Sequence, residues 1–190
     1  MPVTTLLGAL VLLLASGFQT LSLGQEIVGI DKVPGQRIDA HWYRYLNARF
    51  GFGVDLPAEG FSYELSANGD GITLISGDDT SIAVYGSQDI ELNAADSSSL
   101  AAFATVAEEQ ADAMRLGGVN IVHERIEPLW FELSTTDVEY LYYQKGLLSP
   151  DCPTFTTNLW IKYSNRDARE FDSVVQRMST SLASNCSTVE

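Results

Sequence analysis

Residues suited to catalysis or metal binding are scarce in this chain. Histidine occurs twice, at His41 and His123, and cysteine twice, at Cys152 and Cys186. A zinc centre draws three or four ligands from such residues, usually in closely spaced pairs, and no such spacing exists here. The sequence also lacks a G-x-S-x-G elbow, a P-loop, a G-x-G-x-x-G turn, an H-E-x-x-H helix and a C-x-x-C pair. The commonest hydrolytic, nucleotide-binding and redox motifs are therefore missing, and no cofactor is expected. Positive charge is sparse as well: 11 Lys and Arg stand against 25 Asp and Glu, a formal charge of -14. Such a surface repels phosphate backbones and anionic headgroups, which argues against nucleic acid as a partner.

No charged side chain precedes Glu26. Within that stretch Leu6 to Phe18 (LLGALVLLLASGF) form an apolar core followed by small and polar residues, the layout of a secretory signal peptide. Cleavage is expected after Gly24 or after Gly17, with retention as an anchor the alternative. The apolar core is short for an anchor, since a spanning helix needs about 20 apolar residues. Beyond the leader no segment has the length or apolarity to cross a bilayer. The mature protein is thus expected to be periplasmic or secreted, without stable membrane insertion. Residues 25–40 have no apolar period and read as a connecting segment; residues 41–186 read as one domain and 187–190 as a tail.

The domain opens on HWYRYLNARFGFGVDLPAEGF, in which Phe50, Phe52, Val54 and Leu56 alternate with Gly51, Gly53 and Asp55. Period two predicts a half-buried strand, ended by Pro57 and Gly60. Phe61, Tyr63 and Leu65 predict a second strand, ITLIS a third and SIAVYG a fourth. The intervening NGDG and GDD segments carry three aspartates and resemble calcium loops at first sight. Asn-Gly and Asp-Gly are, however, favoured hairpin dipeptides. Five strand residues between the two turns would separate them by roughly 17 Å, too far for one ion, and neither matches an EF-hand loop. They are read as turns.

The period then changes. Leu100, Phe103, Ala104, Ala107, Ala111 and Met114 recur at helical spacing from a Ser-rich start to Gly117-Gly118. Four more strand segments follow: VNIVHERI, LWFELS, DVEYLYYQ and FTTNLWIKY. In the last, Phe155, Thr157, Leu159, Ile161 and Tyr163 share a face, and in its neighbour Val138, Tyr140 and Tyr142 do. A terminal helix from about Asp167 carries Phe171, Val174, Val175, Met178 and Leu182 on one side. The order predicts an α+β domain, a mainly antiparallel sheet layered with two long helices, lying on one face or one on each. In an exported chain the cysteine pair Cys152 and Cys186 predicts a disulfide tying the chain end to the DCP loop. Closing that loop contributes about 3 to 4 kcal/mol on the chain-entropy model. Two buried free thiols, or a nucleophilic thiolate, are the alternatives.

The run RFGFGVDLPAEGF, the NGDG turn, the short strand, the GDD turn and SIAVYG together resemble the opening of the PsbP and Mog1-like fold. That resemblance implies an antiparallel sheet between helices, an α/β/α sandwich, and a binding or accessory scaffold whose ligand it does not name. It runs over much of residues 43 to 184 as an order of elements, and its sharper part is confined to residues 47 to 86. From the residues themselves, the patch His41, Trp42, Tyr43 and Tyr45 is the candidate binding site. Packing in an edge strand is the competing account of these aromatics.

Three functions are compatible with these observations. The first is a non-catalytic exported binding or accessory protein that recognises a protein, peptide or envelope component through a sheet face or the aromatic entry strand. The second is a hydrolase using a carboxylate pair such as Glu124 with Glu127 or Asp137 with Glu139. The third is a small-ligand or calcium carrier using the acidic turns.

Overall fold

The computed structural model describes residues 26–88, 97–149 and 154–184. In chain order the strands are β1 (Glu26–Val28), β2 (Gly35–Arg37), β3 (Trp42–Asn47), β4 (Phe52–Pro57), β5 (Ser62–Leu65), β6 (Gly71–Ile75) and β7 (Ser81–Gln88). Helix α1 (Ser97–Leu116) is followed by β8 (Asn120–Glu127), β9 (Trp130–Thr136), β10 (Tyr140–Leu148), β11 (Phe155–Ser164), helix α2 (Ala168–Ser181) and β12 (Ala183–Ser184). Among the described residues the strands form two antiparallel sheets. The larger runs β1-β5-β6-β7-β11-β10-β9-β8 and the smaller β12-β4-β3-β2. Two meanders, β5 to β7 and β8 to β11, meet where β7 pairs with β11 at the centre of the large sheet.

Alternation assigns the layers, because residues opposite each other in the ladder share a face. Phe131, Leu133 and Leu148 lie on one face under Phe103, Ala107, Ala111 and Met114 of α1. Tyr63, Leu74, Ile82, Leu159 and Ile161 lie on the other, packed against Tyr45, Phe52, Val54 and Leu56 of the small sheet and Met178 of α2. The helices therefore sit on opposite faces, but the side bearing α2 is not a helix layer. The small sheet shares it, and α2, at 14 residues, is shorter than α1, at 20.

Two strand glycines set the packing of aromatic rings. A Cβ on Gly86 would lie 2.2 Å from Cγ of Phe50, and one on Gly146 would lie 2.2 Å from Cε1 of Phe131. Each ring occupies the place of the missing side chain, an arrangement that recovers packing otherwise lost at a strand glycine.

Three expectations change here. The segment expected to connect, residues 25–40, contributes β1, which extends the large sheet beside β5, and β2, which pairs with β3. It lacks a readable period because its strands have three residues each. Strand β4, expected to be half-buried, is buried at every residue. Its outer face meets α2: Arg177 Nε donates to Asp55 Oδ2 at 3.1 Å, Ser181 Oγ accepts from the Asp55 amide, and Arg44 Nε makes a 2.6 Å ion contact with Oδ1. Val138 is 95% exposed in the turn before β10, so it shares no packed face with Tyr140 and Tyr142.

The last turn of α2 is fastened to the large sheet by one carboxylate. Glu132 Oε1 accepts from Ser179 Oγ at 2.7 Å, Tyr143 OH at 2.8 Å and Lys145 Nζ at 3.2 Å. Lys145 Nζ also donates to the Ser179 carbonyl at 3.0 Å. Burial opposes ionisation of Glu132, but the Ser179 and Tyr143 hydrogen bonds and the Lys145 charge outweigh it and hold the carboxyl below its usual range. Cys152 and Cys186 lie outside the described residues, as does the leader. Among the described residues no helix is long and apolar enough to cross a membrane.

Candidate functional site

Helix α1 is 20 residues long and packs on β8 and β9, so it covers only one side of its sheet face. On the remaining side, β6, β7, β10 and β11 present residues on the phase opposite the core. The register places Tyr85 across from Asn158, Trp160 between Ala83 and Gln144, and Lys162 across from Tyr142. Tyr85 and Ile75 are 37% and 41% exposed. The outcome is an aromatic band running Tyr85, Trp160, Tyr142, Tyr140 diagonally across three strands, partly open to solvent.

The polar tips of the band are hydrogen-bonded to other groups of the chain at its surface. Trp160 Nε1 donates to Tyr85 OH at 3.0 Å, and Tyr142 OH donates to Asp137 Oδ2 at 2.8 Å. Tyr140 OH reaches Asp79 Oδ2 at 3.4 Å, with Asp79 in the left-handed region at φ 65° in the β6–β7 turn. Asp137 also orders its own turn, accepting the Glu139 and Tyr140 amides at 2.8 Å each. Partial burial and then the Asp137 carboxylate push the Tyr142 hydroxyl up to about 12, and burial raises Tyr85. These tyrosines are neutral at physiological pH and offer ring faces rather than acids. One such face is in use: Lys162 Nζ lies 3.9 Å from the Tyr140 ring centre, a cation–π contact. At the other end, Tyr85 forms one wall of a cleft of about 430 Å³ with Arg49, Phe50, Asp70, Gln88 and Phe155. Arg49 is paired there with Asp70 at 2.6 Å.

The entry-strand residues fall on different surfaces. His41 is exposed, 4.0 Å from Glu59. Trp42 faces outward beneath the Arg177 guanidinium, 4.5 Å from the ring centre. Tyr43 and Tyr45 point into the core, where Tyr43 OH donates to the Val33 carbonyl at 2.6 Å and Tyr45 meets Phe52 edge-on. Period two makes this unavoidable, because Trp42 and Tyr43 are neighbours on a strand.

The first carboxylate pair separates for the same reason. Glu124 and Glu127, three residues apart on β8, take opposite faces and pair with Arg115 and Arg125. Asp137 and Glu139 belong to the turn before β10. Asp70 and Asp78 flank β6 from opposite ends, Asp78 bonded to Ser76 and to the Thr80 amide. Among the described residues no three His, Cys, Asp or Glu side chains cluster as metal ligands would. Sequence reasoning missed Tyr85 and Trp160. Their signal was legible: each is an aromatic on the polar phase of an otherwise alternating strand.

No family model matches this chain, and no curated protein matches it. Solved structures do. The solution structure of cyanobacterial PsbP (CyanoP) from Synechocystis sp. PCC 6803 superposes with a TM-score of 0.54 over 80% of this chain and 97% of that one, at 12% identity. The chain has a PsbP-like α+β fold, as the order of elements implied. At that identity the likeness speaks for the fold alone.

Proposed function

We propose that this protein is a non-catalytic binding or accessory protein of the cell envelope, docking a protein or peptide on the open aromatic half of its large sheet. The observation that carries the reading is the band itself. Large aromatic side chains on the solvent phase of central strands contribute nothing to either core, and Tyr and Trp are the residues enriched at the centres of interfaces. The PsbP-like fold is compatible with an accessory role. Among the described residues the carboxyls displaced from their usual range, Asp78, Glu132 and Asp137, are lowered, the opposite of what a general acid requires. The reading includes export with removal of the leader and a Cys152–Cys186 bond. The mass of the exported product with and without alkylation tests both.

A photo-crosslinking side chain at Tyr85 or Ile75 in the native host, with Val122 on the edge strand β8 as control, tests the docking face. Discrete adducts from the face positions alone support it. Adducts from neither position, or equally from all three, refute it.

A further inference from the structure

Resting on the reading of the open sheet face as a docking surface, we infer that its occupant is a basic, extended segment of a partner protein. Its lysine or arginine side chains lie over the Tyr140 and Tyr142 rings among the carboxylates Asp79, Asp137 and Glu139.

Charge at this end of the sheet is predominantly negative. The turns β6–β7, β9–β10 and β11–α2 all emerge beside Tyr140, because Ser81 pairs with Lys162 and Tyr140 with Ser164. Between them they hold Asp78, Asp79, Asp137, Glu139 and Asp167 against Arg166, with Lys162 the neighbouring cation on β11. A partner approaching the tyrosine pair therefore meets excess negative charge on a chain already at -14, a field that draws cations and turns away anions.

Ring chemistry points the same way. The Tyr142 hydroxyl is committed to Asp137 and the Trp160 indole to Tyr85, while the Tyr140 hydroxyl lies 3.4 Å from Asp79. A glycan needs free donors and acceptors aimed at its hydroxyls, whereas a cation needs ring faces and nearby carboxylates. Lys162, at 3.9 Å from the Tyr140 ring centre, shows that the site accepts an ammonium. The rings of Tyr140 and Tyr142 stand 6.4 Å apart, tilted by 57°, so they form a notch rather than a flat platform. From the notch the band continues through Trp160 to Tyr85, across strands about 4.8 Å apart. An extended chain, with side chains repeating along its length, fits such a track.

The test uses the full chain, isotope-labelled, titrated with hexalysine, hexaarginine, hexaglutamate and a neutral Gly-Ser peptide. Basic peptides are expected to move the signals of Tyr140, Tyr142 and Trp160, with affinity falling steeply between about 20 and about 200 mM salt. Glu139→Lys and Asp79→Asn should each weaken binding about threefold or more. Asparagine tolerates the positive φ of residue 79, so the second variant keeps its turn.

Lys162→Met distinguishes the site from general attraction. Removing the cation that occupies the Tyr140 ring should tighten basic peptides about two- to fivefold. Lys32→Met, which changes net charge equally at an exposed turn away from the band, should tighten them less. Equal effects of the two variants, or shifts centred elsewhere, would overturn the inference. Binding of the neutral peptide to the same face without binding of the basic ones would overturn it too, while leaving the docking reading intact. Failure of the crosslinks at Tyr85 and Ile75 would remove both.

Discussion

Replacing Glu132 by glutamine tests whether one carboxylate fastens α2 to the large sheet. The side chain accepts three hydrogen bonds, from Ser179, Tyr143 and Lys145, and is 19% exposed. Glutamine keeps the shape and one acceptor oxygen but loses the charge that strengthens all three bonds. It also leaves Lys145, 14% exposed, without its anion. Hydrogen bonds to charged groups contribute about 1.5 to 3 kcal/mol each, and the substitution weakens rather than deletes them. A loss of about 2 kcal/mol at pH 7 is expected, a fall in Tm of about 4 to 8 °C for a chain of this size.

The pH dependence supplies a second readout. The folded carboxyl sits below the ordinary glutamate value of 4.5. Its contribution is therefore complete above the unfolded value and is lost as pH falls through the folded one. Urea unfolding at several pH values should show wild type and Glu132→Gln separated at pH 7 and converging in acid. A variant within about 0.5 kcal/mol of wild type at pH 7, or a separation that persists unchanged below the folded value, would refute the assignment.

Further outcomes follow from other contacts. Gly86→Ala should cost about 1 to 3 kcal/mol by driving a methyl into the Phe50 ring, and in a Phe50→Leu background the same change should cost less, as a double-mutant cycle in urea would show. Asp55→Asn leaves Arg44 and Arg177 without their shared anion. It should cost about 3 kcal/mol with an unchanged denaturant slope. In an ultraviolet titration the Tyr142 hydroxyl should resist ionisation until about pH 12, and Asp137→Asn should bring it down by removing the neighbouring charge. Unchanged ionisation of Tyr142 in that variant would contradict the Asp137 contact.

Much of the fold was legible because periodicity records burial directly. The apolar face of α1, the alternation of β11 and the stripe of α2 each follow from which side of the element faces apolar neighbours. The hairpin turns at Asn68-Gly69 and around Asp78 were legible for a local reason, since only certain residues adopt the required backbone. Strands β1 and β2 were not, because three residues show no period and their pairing depends on β5 and β3, distant in sequence.

The candidate site divides along the same line. Which side chains alternate was written in the chain, so the entry strand had to send Tyr43 and Trp42 to opposite sides. Whether a polar-phase aromatic is covered is a property of the whole molecule. Trp42 lies under Arg177 of α2, while Tyr85 stays exposed beyond the side of α1. By itself the sequence determined composition, charge, the turns and the inward phase of each long element. Only the tertiary structure decided where α1 stops covering the sheet and which acidic turns gather around Tyr140. Coverage and convergence arise from contacts between residues far apart in the chain, for which local propensity carries no information.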